Sequence, residues 1–240
     1  MSFIKKFIIP KKIPYCSAII LAAGNSTRMG FNKITADLSG EPVISRTIRA
    51  FQNNENIKEI IIVTKHEMLS EIANICFMKK FNKVVKVIEG GETRLESSLL
   101  GVSEVNNNSK IIAIHDGARP LVSDTIINNT IKQANAYYAS CPVIKSPDTV
   151  KIINDRGVIE NTLNRDQIYL AQTPQVFNTT VIKGALTKAV KENIQITDDC
   201  SAVERFGIKV YTVEGDVNNI KLTTKKDFLF AEALLKELNQ

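Results

Sequence analysis

Cations, acids and small residues gather wherever an apolar run of this chain stops. The first cluster is Leu21-Ala22-Ala23-Gly24-Asn25-Ser26-Thr27-Arg28-Met29-Gly30, followed by Lys33. Small residues and Gly let a backbone approach an anion and present N–H groups to it. Arg28 and Lys33 add fixed positive charge. The second cluster is Gly90-Gly91-Glu92-Thr93-Arg94, then Ser97. The third is His115-Asp116-Gly117-Ala118-Arg119-Pro120. An acid at the end of a strand is a natural place for a Mg²⁺–phosphate complex, and Arg119 can grip a second anion bidentately. Hydroxyls and cations recur later, in Asp148-Thr149 with Lys151, in Arg165, in Thr173-Pro174-Gln175, in Thr197-Asp198 and in Asn219-Ile220-Lys221. Together they form an anion-seeking rim. The competing readings are a generic β–α turn with solvated basic residues for the first loop and a turn cap for Asp116. His115 reads as a packed, hydrogen-bonded residue. The first loop is neither a dinucleotide fingerprint nor a P-loop, because Ser26 replaces the second Gly and no Gly-Lys-Ser/Thr follows. No Cys-His or Ser-His-Asp set argues for covalent catalysis.

These loops must be held by the elements before them. Cys16–Leu21, Lys58–Thr64, Val84–Ile88 and Ile111–Ile114 are short apolar runs, as expected of parallel strands buried on both faces. Helical spacing appears over Pro42–Phe51, with Val43, Ile44, Thr47, Ile48 and Phe51 on one face. It appears again over Glu67–Phe81, with Leu69, Ile72, Ala73, Cys76 and Phe77 inward. Leu95–Val105 and Ile126–Tyr138 continue the alternation. The pattern predicts an α/β fold with a mostly parallel central sheet and helices on both faces. Thr149–Ile153 and Val158–Thr162, around Asn154-Asp155-Arg156-Gly157, have hairpin chemistry. They predict a projecting β-hairpin arm at about 146–166, whose faces need covering by a second copy of the chain. A helix near Val181–Lys191, a strand at Lys209–Glu214 and a helix over Lys225–Leu238 close the chain.

With 240 residues, 26.7 kDa and 44% hydrophobic residues, the chain reads as one folded domain, 16–240, behind a basic lead-in, 1–15. Four of the +6 formal charges sit on that lead-in, on Lys5, Lys6, Lys11 and Lys12. No apolar run reaches the roughly 18 residues of a membrane span. Cys16, Cys76, Cys141 and Cys200 are irregularly spaced and read as reduced thiols of a cytoplasmic protein. Aromatics are 6% and Trp is absent, which argues against a nucleic-acid partner.

The Leu21–Gly24 loop with Arg28 and Lys33 resembles the signature of nucleotidyltransferases with a glycosyltransferase-A-like fold. His115–Pro120, Gln172-Thr173-Pro174-Gln175, Ile196-Thr197-Asp198-Asp199 and Asn219-Ile220-Lys221 narrow the likeness to the 2-C-methyl-D-erythritol 4-phosphate cytidylyltransferase family. The match runs from about Cys16 to the C-terminus in the family's order. It implies transfer of CMP from CTP to a methylerythritol phosphate with release of pyrophosphate, in non-mevalonate isoprenoid synthesis. It also implies Mg²⁺ as cofactor and a homodimer joined through the arm. By resemblance, Ala22, Ala23, Gly24 and Gly117 line the CTP site, and Gly91, Glu92 and Ser97 read the cytosine end. Arg28, Lys33 and Lys221 act on the phosphates, and Asp116 supports the metal. Arg119, Thr149, Arg165, Thr173, Thr197 and Asp198 hold the acceptor, with Thr149 and Arg165 crossing between subunits. The departures are Ser26, Ile34-Thr35 after Lys33, and a longer approach to the arm through Lys145-Ser146-Pro147. The alternatives are a ribitol 5-phosphate cytidylyltransferase and a non-catalytic nucleotide-binding module.

Overall fold

The run Cys16–Leu21 forms the central strand, β1, of a sheet that has apolar cover on both sides. The computed structural model describes residues 13–24 and 32–238. Arg28, with the loop around it, and the four lead-in lysines lie outside the described residues. After β1 come α1 (Val43–Asn53), β2 (Ile57–Thr64), α2 (Leu69–Met78), β3 (Val84–Glu89), α3 (Arg94–Ser103), β4 (Ile111–Asp116) and α4 (Asp124–Tyr137). Then follow β5 (Ala139–Lys145), the hairpin strands β6 (Lys151–Ile153) and β7 (Ile159–Thr162), β8 (Tyr169–Ala171) and β9 (Gln175–Asn178). The chain closes with α5 (Thr179–Lys191), α6 (Asp199–Arg205), β10 (Tyr211–Glu214) and α7 (Lys225–Leu238).

Across the sheet the order is β10-β5-β9-β4-β1-β2-β3. β1 pairs in parallel with both β2 and β4, β2 with β3, and β10 with β5. β9 runs antiparallel between β4 and β5, and β8 lies antiparallel along the far end of β5. The expected mostly parallel α/β sheet is therefore present. Side chains of a strand alternate between faces, so Ala18 and Ile20 enter the core with α1, α2 and α4. Ile19 enters the core with α3, α5 and α6. A third cluster, Leu38, Val43, Leu222, Ala231 and Leu235, fastens α7 beside the start of α1.

The hairpin stands apart as its own two-stranded sheet, every strand residue exposed. Its turn is closed by Asn154, whose Oδ1 accepts from the N–H groups of Arg156 and Val158, and by Gly157 at φ +77°.

Three features differ from expectation. In α2 the buried residues are Ile72 and Cys76, in line with Met68 just before the helix, while Ala73 and Phe77 point outward, Phe77 being 79% exposed. The helix covers the edge of the sheet, so only a narrow stripe of it finds the core. β5 was not foreseen, since Pro142 interrupts its apolar run. The structure accommodates the missing donor, and the Pro142 carbonyl accepts from the Gln172 N–H at 2.8 Å. α4 passes into β5 through Tyr138 alone, at φ +74°. Finally, β8 and β9 are one course along β5 broken at Gln172-Thr173-Pro174, and α6 is a short helix with no long periodic signal.

α3 lies close on the sheet because Gly101 has no side chain. A Cβ there would stand 2.6 Å from Ile19 Cγ2 and 3.0 Å from Val63 Cγ2. Gly101→Val is expected to lower the urea unfolding free energy by roughly 1–3 kcal/mol through overpacking. An unchanged unfolding midpoint would show that α3 can retreat from β1 without loss.

Candidate active site

Order reverses at β1, which has β2 on one side and β4 on the other. In open α/β sheets ligands bind beyond the carboxyl ends of the strands at such a switch point. There Leu21 is registered against Asp116. The ladder is carried a step further by Ala22 N–H to Val63 O at 2.7 Å and Gly117 N–H to Leu21 O at 2.8 Å. A Cβ on Gly117 would meet Leu21 O at 3.0 Å, so only Gly lets the two loops run this close. Above them opens a cleft of about 360 Å³. One wall is Ala22, Ala23 and Gly24, another is Gly91, Glu92 and Ser97, and Lys33, Asp116 and Lys221 complete it.

Asp116 is the electrostatic centre. Its Oδ2 lies 2.9 Å from Lys221 Nζ and 3.5 Å from Arg119 Nε, and its Oδ1 lies 3.9 Å from Arg94 Nη2. Burial opposes ionisation of this carboxyl. The charges of Lys221, Arg94 and Arg119 outweigh it and hold the group well below the usual carboxylate range. Oδ1 makes no hydrogen bond among the described residues, and Asp116 lines the cleft. Among those residues no group of three or more His, Cys, Asp or Glu stands ready to cage a metal. Mg²⁺ usually takes one or two carboxylates plus substrate phosphates, and a single ionised Asp116 with one open oxygen fits that requirement.

Beneath the carboxylate runs a buried polar network. The Asp116 N–H donates to Thr173 Oγ1 at 3.1 Å, and Thr173 Oγ1 lies 3.0 Å from His115 Nδ1. His115 Nε2 lies 3.1 Å from the Arg119 carbonyl. A carbonyl only accepts, so Nε2 carries the proton and Nδ1 accepts from the Thr173 hydroxyl. Burial lowers the His115 pKa to about 4, so the ring is neutral near pH 7. The Arg119 Nη1 donates to Asn219 O at 2.6 Å, and Asn219 Nδ2 to Thr173 O at 2.9 Å. Gln172 Nε2 donates to Asp216 O at 2.8 Å. The loops after β4, β8 and β10 are thereby tied into one frame.

The structure brings together Ala22, Ala23, Gly24, Lys33, Gly91, Glu92, Ser97, Asp116 and Lys221 in the cleft, with Gly117 directly beneath. Arg119 and Thr173 adjoin it, with polar groups engaged by Asp116, His115 and Asn219. Asp198 caps α6, accepting from Ser201 N–H at 2.9 Å and from Gln175 Nε2 at 2.6 Å. Thr197 is exposed beside it, and Thr149 and Arg165 are exposed at the base of the hairpin; none of the three lines this cleft. Sequence reasoning gave no role to Arg94 or Asp199, whose side chains meet at 2.7 Å. Arg94's position after Gly90-Gly91-Glu92-Thr93 is the one signal that could have flagged it.

A carboxylate among cations, at the switch point of a mostly parallel sheet with backbone-lined walls, defines a nucleotide- and phosphate-handling α/β protein. Residues 16–237 match the family model described as IspD: 2-C-methyl-D-erythritol 4-phosphate cytidylyltransferase. A protein of that name from Caldanaerobacter subterraneus is 44% identical over 225 residues, covering 92% of this chain and 99% of its own length. One from Clostridium novyi is 41% identical over 224 residues, covering 92% and 96%. The crystal structure of 4-diphosphocytidyl-2C-methyl-D-erythritol synthase from Anaerococcus prevotii superposes with a TM-score of 0.83 at 34% identity, covering 93% of this chain and 96% of that one. This chain belongs to the 2-C-methyl-D-erythritol 4-phosphate cytidylyltransferase family.

The neutral His115 gives a pH test. Its folded pKa of about 4 lies below the ordinary value of 6.5, so the unfolded chain binds more protons between those two values. Stability is expected to fall by roughly 3 kcal/mol as pH drops from 6.5 to 4. The Asp116 contribution, from a depressed carboxyl pKa, is lost only at lower pH. Urea unfolding of the wild type and of His115→Gln should diverge across that window. Parallel curves would place the His115 pKa near its ordinary value.

Proposed function

We propose that this protein transfers CMP from CTP to 2-C-methyl-D-erythritol 4-phosphate, releasing pyrophosphate, as a cytoplasmic enzyme of non-mevalonate isoprenoid synthesis. The observation that carries the reading is the Lys221–Asp116 pair at 2.9 Å, standing in a cleft at the switch point of a sheet of this family. The acceptor's phosphate oxygen attacks the α-phosphorus of CTP, a P–O bond forms there, and the bond to the β-phosphate oxygen breaks. A phosphate monoester has its second pKa near about 6, so the nucleophile arrives already anionic. No general base is needed. His115, the histidine nearest Asp116, has both ring nitrogens engaged and is not placed to serve as one.

Charge is the obstacle. At 4 Å each unit pair repels by about 4 kcal/mol in an effective dielectric of about 20. Lys33 and Lys221 line the cleft, and with Arg28 they would offset this repulsion as charge moves onto the leaving pyrophosphate. Asp116, together with CTP's own phosphates, would hold Mg²⁺, which neutralises phosphate charge when bound. Ala22–Gly24 would support the nucleotide, and Gly91, Glu92 and Ser97 its base. Arg119, Thr173, Thr197 and Asp198 would serve the acceptor side.

The arm would act between subunits. Ile153, Val158 and Ile159 are 58%, 57% and 55% exposed on the hairpin, an apolar face suited to a second copy of the chain. In that dimer Thr149 and Arg165 would reach the partner's acceptor site. The names of the relatives support methylerythritol phosphate over ribitol 5-phosphate as acceptor.

Lys221→Ala is expected to lower kcat by about 10²–10³ in a pyrophosphate-release assay, with the melting temperature little changed. Near-normal turnover would sink the assignment. Ribitol 5-phosphate offered with CTP should release little pyrophosphate beside the methylerythritol ester; the reverse preference would favour the alternative. Ile153→Glu with Val158→Glu should sediment as a monomer and lose activity. An active monomer would remove the arm from the site.

A further inference from the structure

Arg94 lines the nucleotide cleft beside Glu92 and Ser97, yet its strongest contact points away from it. Its place is set locally. Thr93 caps α3, with Thr93 Oγ1 accepting from Glu96 N–H at 3.1 Å and Glu96 Oε2 accepting from Thr93 N–H at 3.0 Å. Arg94 is therefore the first residue of a locked helical turn. Asp199, the first residue of α6, is fully buried, and its Oδ2 accepts from Arg94 Nη2 at 2.7 Å. A buried carboxylate needs such a partner, because removing one member of a buried pair leaves a charge without compensation.

The manner of pairing leaves room for a second duty. A guanidinium frequently closes on a carboxylate as a two-bond fork. Here it makes one bond, and among the described residues Arg94 Nη1 and Asp199 Oδ1 are both left buried without partners. The guanidinium instead sits between two acids, with the same Nη2 that meets Asp199 also 3.9 Å from Asp116 Oδ1. Lys221 and Arg119 both bear on the other oxygen, Oδ2. Of the three cations that bear on this carboxylate, Arg94 is the one nearest Oδ1.

We propose that Arg94 is a positioning residue for the transfer reaction. Held from behind by buried Asp199, it fixes the orientation of the Asp116 carboxylate toward the cleft. The role rests on the reaction proposed above. It needs no contact between Arg94 and substrate. A displacement of about 1 Å in a reacting geometry can cost about 10²-fold in rate, which sets the scale expected here.

The experiment separates positioning from simple stabilisation. Arg94→Met alone strands Asp199 and should lower the melting temperature and kcat together. Adding Asp199→Asn removes the stranded charge. The double variant should melt close to the wild type, and its kcat for pyrophosphate release should stay about 10²-fold down, with the KM for CTP within about threefold of normal. If stability and turnover recover together, Arg94 serves only the fold and the proposal fails. Arg94→Lys keeps a charge for Asp199 but replaces the rigid planar guanidinium with a flexible point charge, so it should be comparably slow while folded; wild-type turnover in it overturns the role even if the double variant does not fold. Wild-type protein inactive with CTP and the methylerythritol ester overturns the reaction and this role with it. An active wild type beside an equally active double variant overturns the role alone.

Discussion

A carboxylate at the end of a buried strand, kept ionised by three cations, is the constraint around which this molecule is arranged. Asp116 is nearly out of water, and isolation there would force it to take up a proton. Arg94 comes from the start of α3, Arg119 from the loop after β4, and Lys221 from the loop after β10. Each of those segments must therefore arrive at one place for the three charges to act together on the carboxylate. Cations gathered for one carboxylate are also well placed for phosphates. A triphosphate entering the cleft meets positive charge that is already fixed.

The backbone beneath makes that gathering possible. β4 delivers Asp116 at the switch point, in register with the end of β1. The polar groups below, from Thr173 through His115 to Asn219, bond to one another, with Asn219 Oδ1 the one side-chain atom among them left buried without a partner among the described residues. Such networks are rigid when complete and costly when broken. A neutral His115 suits this position, since a charged ring would add a fourth cation under the site. The hydroxyl of Thr173 also gives the Asp116 backbone a partner that the strand ladder does not supply.

Much of this was legible along the chain, for physical reasons that differ by element. β1, β2 and β4 announce themselves because parallel strands covered on both faces are short apolar runs; β3, at the sheet edge and half-exposed, shows a similar run broken by Lys86. α1 shows its inward face because all five of its periodic apolar or hydroxyl positions meet the core. β5 was hidden by Pro142 within it, and β9 and α6 were too short to show a period. In α2 the period was visible but the orientation was not. Ala73 and Phe77 follow helical spacing as well as Ile72 and Cys76 do, and only the position of the helix over the sheet edge decides which stripe is inside.

The sequence by itself determined the kinds of groups in the cleft, because small residues, Gly, and loop-borne Lys, Arg and Asp follow strands whose ends must lie at one edge of a parallel sheet. It also determined the hairpin, whose Asn154 and Gly157 specify a turn through local chemistry alone. Tertiary structure decided which charges meet. The pairing of Arg94 with Asp199 spans 105 residues, and that of Lys221 with Asp116 is equally non-local. Neither leaves a trace in spacing, because a salt bridge depends on distance in space, and that distance exists only once the sheet has set its strand order.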